Sequence, residues 1–243
     1  MKISIITISF NSAKTIEATL NSVLNQTHKN IQHIIIDGNS SDQSVQICKK
    51  FPHVSKIISE EDSGVYNAFN KGLEIANGDV VGFLNSDDTF YNNNSLKIIV
   101  DGFKKGIDAV HGNLKFYNHK NKVVRNWISK PYEKGAFKKG WMPAHPTFYC
   151  RKNIYNKYGN YNELFKIAGD FELMLRFIET KNIKTMFIDK NLVKMKAGGI
   201  SNSGFISKIR ILKEEFFAFD LNKISLNKFS YLINKAVKIK EFL

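Results

Sequence analysis

The chain has 243 residues, 43% hydrophobic and 24% charged, with 36 Lys and Arg against 22 Asp and Glu and a formal net charge of +14. This composition is that of an ordinary globular chain, long enough for one large domain or one domain with an appendage, and its longest apolar runs are about half the roughly 18 residues a membrane span needs. The positive excess favours anionic partners such as nucleic acid, anionic lipid or a phosphorylated substrate, and a coding bias toward Lys and Asn explains it equally well.

Cys48 and Cys150 are far apart and make neither a disulfide framework nor a zinc motif, which suits a reducing cytosol. The amino terminus, MKISIITISFNS, reads as a first strand and not as a secretion signal, because it has one Lys and no A-x-A-like cleavage site. In chain order, ISIITISF (3–10) is expected as a strand. Asn11 or Ser12 can cap a helix on which Ile16, Leu20, Val23 and Leu24 fall at i, i+4, i+7 and i+8. IQHIIID (31–37) is a second strand, followed by a turn and a short helix, and VSKIIS (54–59) is a third strand. GVYNAFNKGLEIANG (64–78) is expected as a helix stopped by Gly78, and VVGFL (80–84) as a fourth strand. This alternation implies βαβ units around a mostly parallel sheet flanked by helices. No internal repeat or low-complexity segment interrupts it.

Acidic residues recur at the ends of these strands. Asp37 ends the second; Glu60, Glu61 and Asp62 follow the third; and FLNSDDTF (83–90) runs from a buried-strand pattern straight into Asn85, Ser86, Asp87 and Asp88. Ligands of open α/β sheets bind outside the carboxyl ends of the strands. Each acid alone reads equally as a helix cap or turn residue. Three such clusters on one edge repel one another by about 1 kcal/mol per close pair in water, unless a cation or ligand donors offset the charge. Oxygen ligands without neighbouring Cys or His point to Mg²⁺ or Mn²⁺. Strand one runs into FNSAK with no Gly, so the dinucleotide fingerprint is absent, and no P-loop motif occurs.

Three segments, in this order and spacing, resemble the opening of family 2 glycosyltransferases with the GT-A fold. They are ISIITISFNSAKTIEATLNSVLNQT, IIIDGNSSDQS and SEEDSGVYNAFNKGLEIANGDVVGFLNSDDTF, and they cover about the first 90 residues. HPTFYCR (145–151), AGDFELMLRF (168–177) and GGIS (198–201) agree more weakly. The resemblance implies a Rossmann-like GT-A catalytic domain over 1–204, with a nucleotide-sugar half (1–112) and an acceptor half (113–204). Basic amphipathic helices would follow at 205–243. The nearest subgroup is that of bacterial O-antigen, capsule and exopolysaccharide transferases, which implies an inverting transfer from a UDP- or GDP-sugar to a glycan acceptor carried on a polyprenyl diphosphate, in the cytoplasm or on the cytoplasmic face of the inner membrane.

Site roles follow from the same resemblance. Thr7, Ser9 and Asn11 fall where the first strand meets the nucleotide, and Asp37 matches the acid that binds the base. Asp62, Gly64, Tyr66, Asn67, Asn70 and Lys71 match the segment that wraps base, ribose and phosphates. Asn85-Ser86-Asp87-Asp88 matches the D-x-D-type motif, with Asn in place of the usual first carboxylate; Asp87 and Asp88 are the expected metal ligands. Asp170 matches the catalytic base, Glu172 is its backup, and His145 falls in the acceptor region. From helical geometry alone, Asp170 is equally a first-turn acid at a helix N-terminus and Glu172 points elsewhere.

Beyond Phe205 the βα alternation is lost. FISKIRILKEEFFAF and KFSYLINKAVKIKEFL read either as amphipathic helices on an anionic membrane or as helices packed on the catalytic domain. Two rival functions stand beside transfer. A sugar nucleotidyltransferase would carry a Gly-rich basic loop after strand one, which ISFNSAKT lacks. A nucleic-acid-binding protein would carry an RNP, zinc-finger or helix-turn-helix signature, and none is present.

Overall fold

The β-branched runs Ile3–Ser9 (β1) and Ile31–Asp37 (β2) are buried almost end to end, as strands covered on both faces are. In the computed structural model, which describes residues 1–197 and 205–240, β2 lies parallel to β1, with Ile3 opposite Ile31 and Ser9 opposite Asp37. Val54–Ser59 (β3) extends the parallel set beyond β2, and Val80–Phe83 (β4) pairs with the other side of β1. Ile16–Leu24 (α1), Ser44–Cys48 (α2) and Val65–Ile75 (α3) are the crossovers. α1 begins later than the expected cap at Asn11 or Ser12: Asn11 takes a left-handed backbone (φ 48°), and its side-chain oxygen accepts the Ser41 N–H at 3.0 Å. The residue is spent on joining two loops.

Thr89–Phe90 (β5), Ser95–Gly102 (α4), Ala109–Tyr117 (β6), Val123–Trp127 (β7), Tyr149–Arg151 (β8) and Lys152–Tyr158 (α5) follow. Gly169–Met174 (α6) continues as a wider π-type turn to Thr180, and Thr185–Lys196 (β9) completes the sheet. Among the described residues nine strands form one sheet in the order β3-β2-β1-β4-β8-β6-β9-β5, with β7 on β6. The sheet is mixed, and most of its paired residues lie in parallel ladders, as the alternation suggested. Four pairings are parallel, β1 with β2 and β4, β2 with β3, and β6 with β9. Four are antiparallel, β8 with β4 and β6, β5 with β9, and β7 with β6. The short β8 enters against the direction of both its neighbours, and the βα alternation that signals parallel pairing is confined to the first ninety residues.

Phe205–Leu221 (α7) and Lys228–Lys240 (α8) close the described chain. They pack on the sheet domain. Ala218, Phe219 and Tyr231 are fully buried in the same apolar core as Ile6, Ile34, Phe69 and Phe171, and burial of an aromatic of this size stabilises by about 1.5–3 kcal/mol. Among the described residues no helix is long and apolar enough to cross a membrane. The expected GGIS segment and the boundary at residue 204 lie outside the described residues.

Candidate active site

The parallel set β1–β4 delivers its carboxyl ends to one edge, and the strand order reverses between β1 and β4, which opens a crevice there. Asp37 is buried at this edge. Its carboxylate accepts the Ser40 N–H (2.8 Å), the Ser40 hydroxyl (2.6 Å) and the Ser59 hydroxyl (2.8 Å), so it fixes the turn after β2 against the end of β3. The Asn11 N–H donates to Ser40 Oγ at 2.8 Å, which draws the loop after β1 into the same cluster. Ser9 Oγ is buried there without a partner. Thr7, two residues earlier, does not reach the edge: it is fully buried and its hydroxyl meets His33 Nε2 at 3.0 Å inside the sheet. His33 in turn faces His53 at 3.2 Å, and burial pulls its pKa down to about 3, so the pair is neutral.

Sequence reasoning passed over Phe10. It is 65% exposed at the carboxyl end of β1, and a Cβ on Gly38 would lie 3.4 Å from its ring. An exposed large aromatic at a ligand-binding edge was the available signal.

The loop after β3 is gathered by Lys71 of α3. Its ammonium pairs with Asp62 at 2.7 Å and Glu60 at 2.8 Å, and donates to the Glu61 carbonyl at 2.8 Å. Loss of water around it pulls the Lys71 pKa down, but the two carboxylates outweigh this and hold it above its ordinary value. Gly64, with φ 144°, makes the turn from this loop into α3.

The segment Asn85–Asp88 is a tight turn, with the Asp88 N–H donating to the Asn85 carbonyl at 3.0 Å. Thr19 of α1 donates to the Asp88 carbonyl at 2.8 Å, and Ser86 Oγ bonds Ser12 Oγ at 2.8 Å. Its backbone and the Ser86 hydroxyl are thus tied down, while the side-chain oxygens of Asn85 and Asp88 are not. Asp88 is fully buried, and neither its carboxylate oxygens nor Asn85 Oδ1 has a hydrogen-bond partner. Burial, then the neighbouring Asp87 charge, pushes the Asp88 pKa well up, and the nearby Lys196 N–H offsets only part of this. Asp87 is exposed at the lip; loss of water raises its pKa, against a partial offset from the Lys196 charge. Among the described residues no three His, Cys, Asp or Glu side chains form a complete metal cage. Two carboxylates and an amide oxygen are a fitting donor set for a hard cation that keeps waters and phosphate oxygens in its shell, as Mg²⁺ does.

α3 spans from this edge to Asp170. The Tyr66 ring stacks on Tyr161 at 5.6 Å; its hydroxyl donates to the Ile167 carbonyl at 2.6 Å and stands 3.5 Å from Asp170 Oδ1. A Cβ on Gly169 would lie 2.7 Å from the Tyr66 ring, so only glycine allows the turn to pack this closely. Asn67 and Asn70 bond Glu163 at 3.1 and 2.7 Å, and Asn70 exchanges two 3.0 Å bonds with the Tyr161 backbone. These side chains join the two halves of the domain. Asp170 opens α6, half-buried, and accepts the Phe171 N–H at 2.9 Å. Desolvation raises its pKa to about 6, with the Glu215 charge adding to the shift and the N–H bonds opposing it.

His145 and Glu172 are not brought to the crevice. His145 is stacked against Phe83, bonds the Tyr161 hydroxyl at 2.7 Å, and is held neutral by burial, which lowers its pKa to about 4. Glu172 is buried in an ion pair with Arg176 at 2.9 Å and also accepts from Asn222 at 3.2 Å. The helical offset from Asp170 turns it toward α7.

An α/β sheet with acids along its parallel edge, and a further carboxylate mounted on a helix beyond, is the architecture of the GT-A transferases of nucleotide sugars. Solved structures agree on the fold. Crystal structures of S. aureus TarS 1–349 in complex with UDP-GlcNAc and of the mannosyltransferase PcManGT from Pyrobaculum calidifontis in complex with GDP-Man and Mn²⁺ superpose with TM-scores of 0.68 and 0.67. They share 20% and 15% identity with this chain, over 95% and 90% of it and 69% and 63% of those chains. The chain belongs to glycosyl transferase family 2, whose model matches residues 4–168, and it is a glycosyltransferase. Among curated relatives, the PGL/p-HBAD biosynthesis glycosyltransferase of Mycobacterium bovis (strain BCG / Pasteur 1173P2) is 25% identical over 207 residues, 82% of this chain and 79% of that protein. A glycosyltransferase of Mycobacterium tuberculosis (strain ATCC 25618 / H37Rv) is 31% identical over 194 residues, 72% and 68% of the two chains.

The unpartnered oxygens of Asp88 are a cost to the metal-free fold. Asp88→Asn keeps the shape and removes the buried charge, and is expected to stabilise the protein at neutral pH in a chelating buffer by about 1–3 kcal/mol. A urea titration measures this as a higher midpoint at unchanged slope. An equal or lower midpoint would mean that Asp88 is satisfied without a ligand.

Proposed function

We propose that the protein is an inverting, divalent-metal-dependent transferase that moves a sugar from a UDP- or GDP-sugar to a hydroxyl of a lipid-linked glycan in bacterial surface polysaccharide synthesis. The observation that carries this reading is a pair of carboxylate stations of different character. Unpartnered Asp88 lies on the nucleotide side, and Asp170, with its raised pKa, lies beyond Tyr66. The ligands bound in the two structural neighbours, UDP-GlcNAc and GDP-Man, support the donor class.

In this reading the nucleoside diphosphate lies along the edge formed by Asp37, Ser9 and Asn85–Asp88, and Phe10 offers the base an aromatic face. Asp87, Asp88 and Asn85 would hold Mg²⁺ or Mn²⁺, which when bound neutralises the charge developing on the departing diphosphate. Lys71 keeps the Asp62 loop in place. Asp170 takes the proton of the acceptor hydroxyl as that oxygen attacks the anomeric carbon. A single displacement needs one base on the face opposite the leaving group, and this inverts the configuration.

The outer face of the last two helices supports a membrane-bound acceptor. Phe229, Leu232, Ile233 and Val237 form an exposed apolar stripe on α8, and Ile206, Phe217 and Leu221 of α7 are exposed as well. Lys208, Arg210, Lys213 and Lys228 lie on the same two helices. Apolar side chains set among basic ones suit an anionic bilayer surface.

Three outcomes are expected. Asp87→Ala and Asp88→Ala abolish turnover with the fold intact, and EDTA silences the wild type; full activity in excess EDTA defeats the metal assignment. Asp170→Asn lowers transfer about 10²- to 10⁴-fold while nucleoside diphosphate binding persists. A base must be deprotonated to act, so wild-type kcat/KM is expected to rise with pH through about 6 and to level off above it; a profile flat from pH 5 to 8 removes Asp170 as the base. Vesicles containing phosphatidylglycerol are expected to co-sediment the protein in a salt-sensitive way, and Phe229→Ser with Ile233→Ser to weaken this; equal binding to neutral vesicles, or none, defeats the membrane reading.

A further inference from the structure

Glu214 lies on α7, outside the segment matched by the family model. Its carboxylate accepts three consecutive backbone N–H groups: Lys166 at 3.1 and 3.2 Å, Ile167 at 2.9 Å and Ala168 at 2.8 Å. Successive N–H groups that converge on one anion form a nest. This one ends on Ala168, the residue that enters α6, where no side chain of the helix's own supplies a cap. Asp170 is two residues further on.

The same turn is gripped from its other side. The Ile167 carbonyl takes the Tyr66 hydroxyl at 2.6 Å, and Gly169 lies against the Tyr66 ring. The backbone leading to Asp170 is thus held between a carboxylate from α7 and a phenol from α3. α7 is itself locked. Glu215, the next residue, is buried in an ion pair with Lys235 of α8 at 2.5 Å, and Phe219 packs edge-on against Phe171 of α6 at 5.5 Å.

We propose that Glu214 is a positioning residue for the transfer reaction: by holding the N–H groups of Lys166, Ile167 and Ala168 it fixes the turn that aims Asp170. The inference rests on Asp170 being the base. It makes α7 a working part of the catalytic centre, beyond its packing role. A charged acceptor is well matched to three converging donors. A small misplacement of a reacting group costs up to about 100-fold in rate.

Glu214→Gln is the sharp variant, because it keeps the size but turns one amide nitrogen, itself a donor, toward the backbone donors. In the full chain, with whichever donor of a UDP- and GDP-sugar panel turns over, kcat is expected to fall about 10- to 100-fold. KM for the donor and Kd for UDP or GDP are expected to change by less than about twofold, as for a group acting only in the transition state. In the Asp170→Asn background the same substitution is expected to add nothing, because the aimed group is gone; non-additivity is the mark of residues acting as one unit. Amide exchange, which needs no substrate, is expected to speed up at Ile167 and Ala168 while the middle of α7 stays protected. The proposal is overturned if kcat per folded molecule is unchanged, if the two substitutions multiply, or if exchange at 166–168 is unaltered. Asp170→Asn at full rate would instead bring down the base assignment, and this inference with it; the exchange result would still tell whether Glu214 holds the turn.

Discussion

Tyr66 is the wedge on which the arrangement depends. It rises from α3, stacks on Tyr161, bonds the Ile167 carbonyl and fills the space that a side chain at residue 169 would need. The α3 end of the acidic edge and the Asp170 turn come from parts of the chain about a hundred residues apart, and a loose link between them would blur any reaction that uses both. A buried phenol with a satisfied hydroxyl is a stiff link, because its ring has two torsions and both are fixed by packing. Asn67 and Asn70 repeat the bridge one turn along, through Glu163 and the Tyr161 backbone.

Around this wedge the carboxylates divide into those that are satisfied and those that are not. Asp37 is surrounded by hydroxyl and amide donors, Asp62 and Glu60 share Lys71, and Glu172 has Arg176. Asp88 alone among these is fully buried with both oxygens empty. A fold that neutralises acids elsewhere but leaves this one bare puts a local cost where a ligand can relieve it, in line with strain concentrating at functional sites.

Much of this was legible in the sequence. The β-branched runs and helical spacings locate β1 to β4 within a residue, because both signals are local. Acids at strand ends identify the ligand edge for the same reason. The sequence carries no comparable sign of how each acid is spent. Whether Asp37 or Asp88 is satisfied depends on Ser40, Ser59 and the lack of a hydrogen-bond partner at the Asp88 oxygens, all facts of packing. His145 read as an acceptor-region residue from the family resemblance of HPTFYCR, and its ring is stacked into the core against Phe83. The C-terminal helices read equally as membrane-facing or as packed on the catalytic domain, because an apolar stripe laced with Lys suits both, and the burial of Phe219 and Tyr231 shows the packed face. Glu214 had no local signal at all, since its partners lie some 46 to 48 residues away.

The placement of β5 has a consequence for how the protein is made. β5 begins one residue after the Asn85–Asp88 turn, and its strand pairing among the described residues is with β9, Thr89 opposite Lys194 and Phe90 opposite Val193. β9 also runs the length of β6. A ribosome adding about 5–20 residues per second therefore exposes the acidic turn some 5–20 seconds before the strand that pairs with β5 has been synthesised. During that interval β1 to β4 can pair among themselves, since their contacts are near in sequence, while the downstream side of the acidic turn is held by α1 and the residues after it, through Ser22, Gln26 and Thr27, and not yet by a strand. Competence for chemistry thus arrives late and nearly all at once, with the emergence of β9 and the helices behind it. A nascent chain stalled before that point holds the β1–β4 edge without β9 or the last two helices.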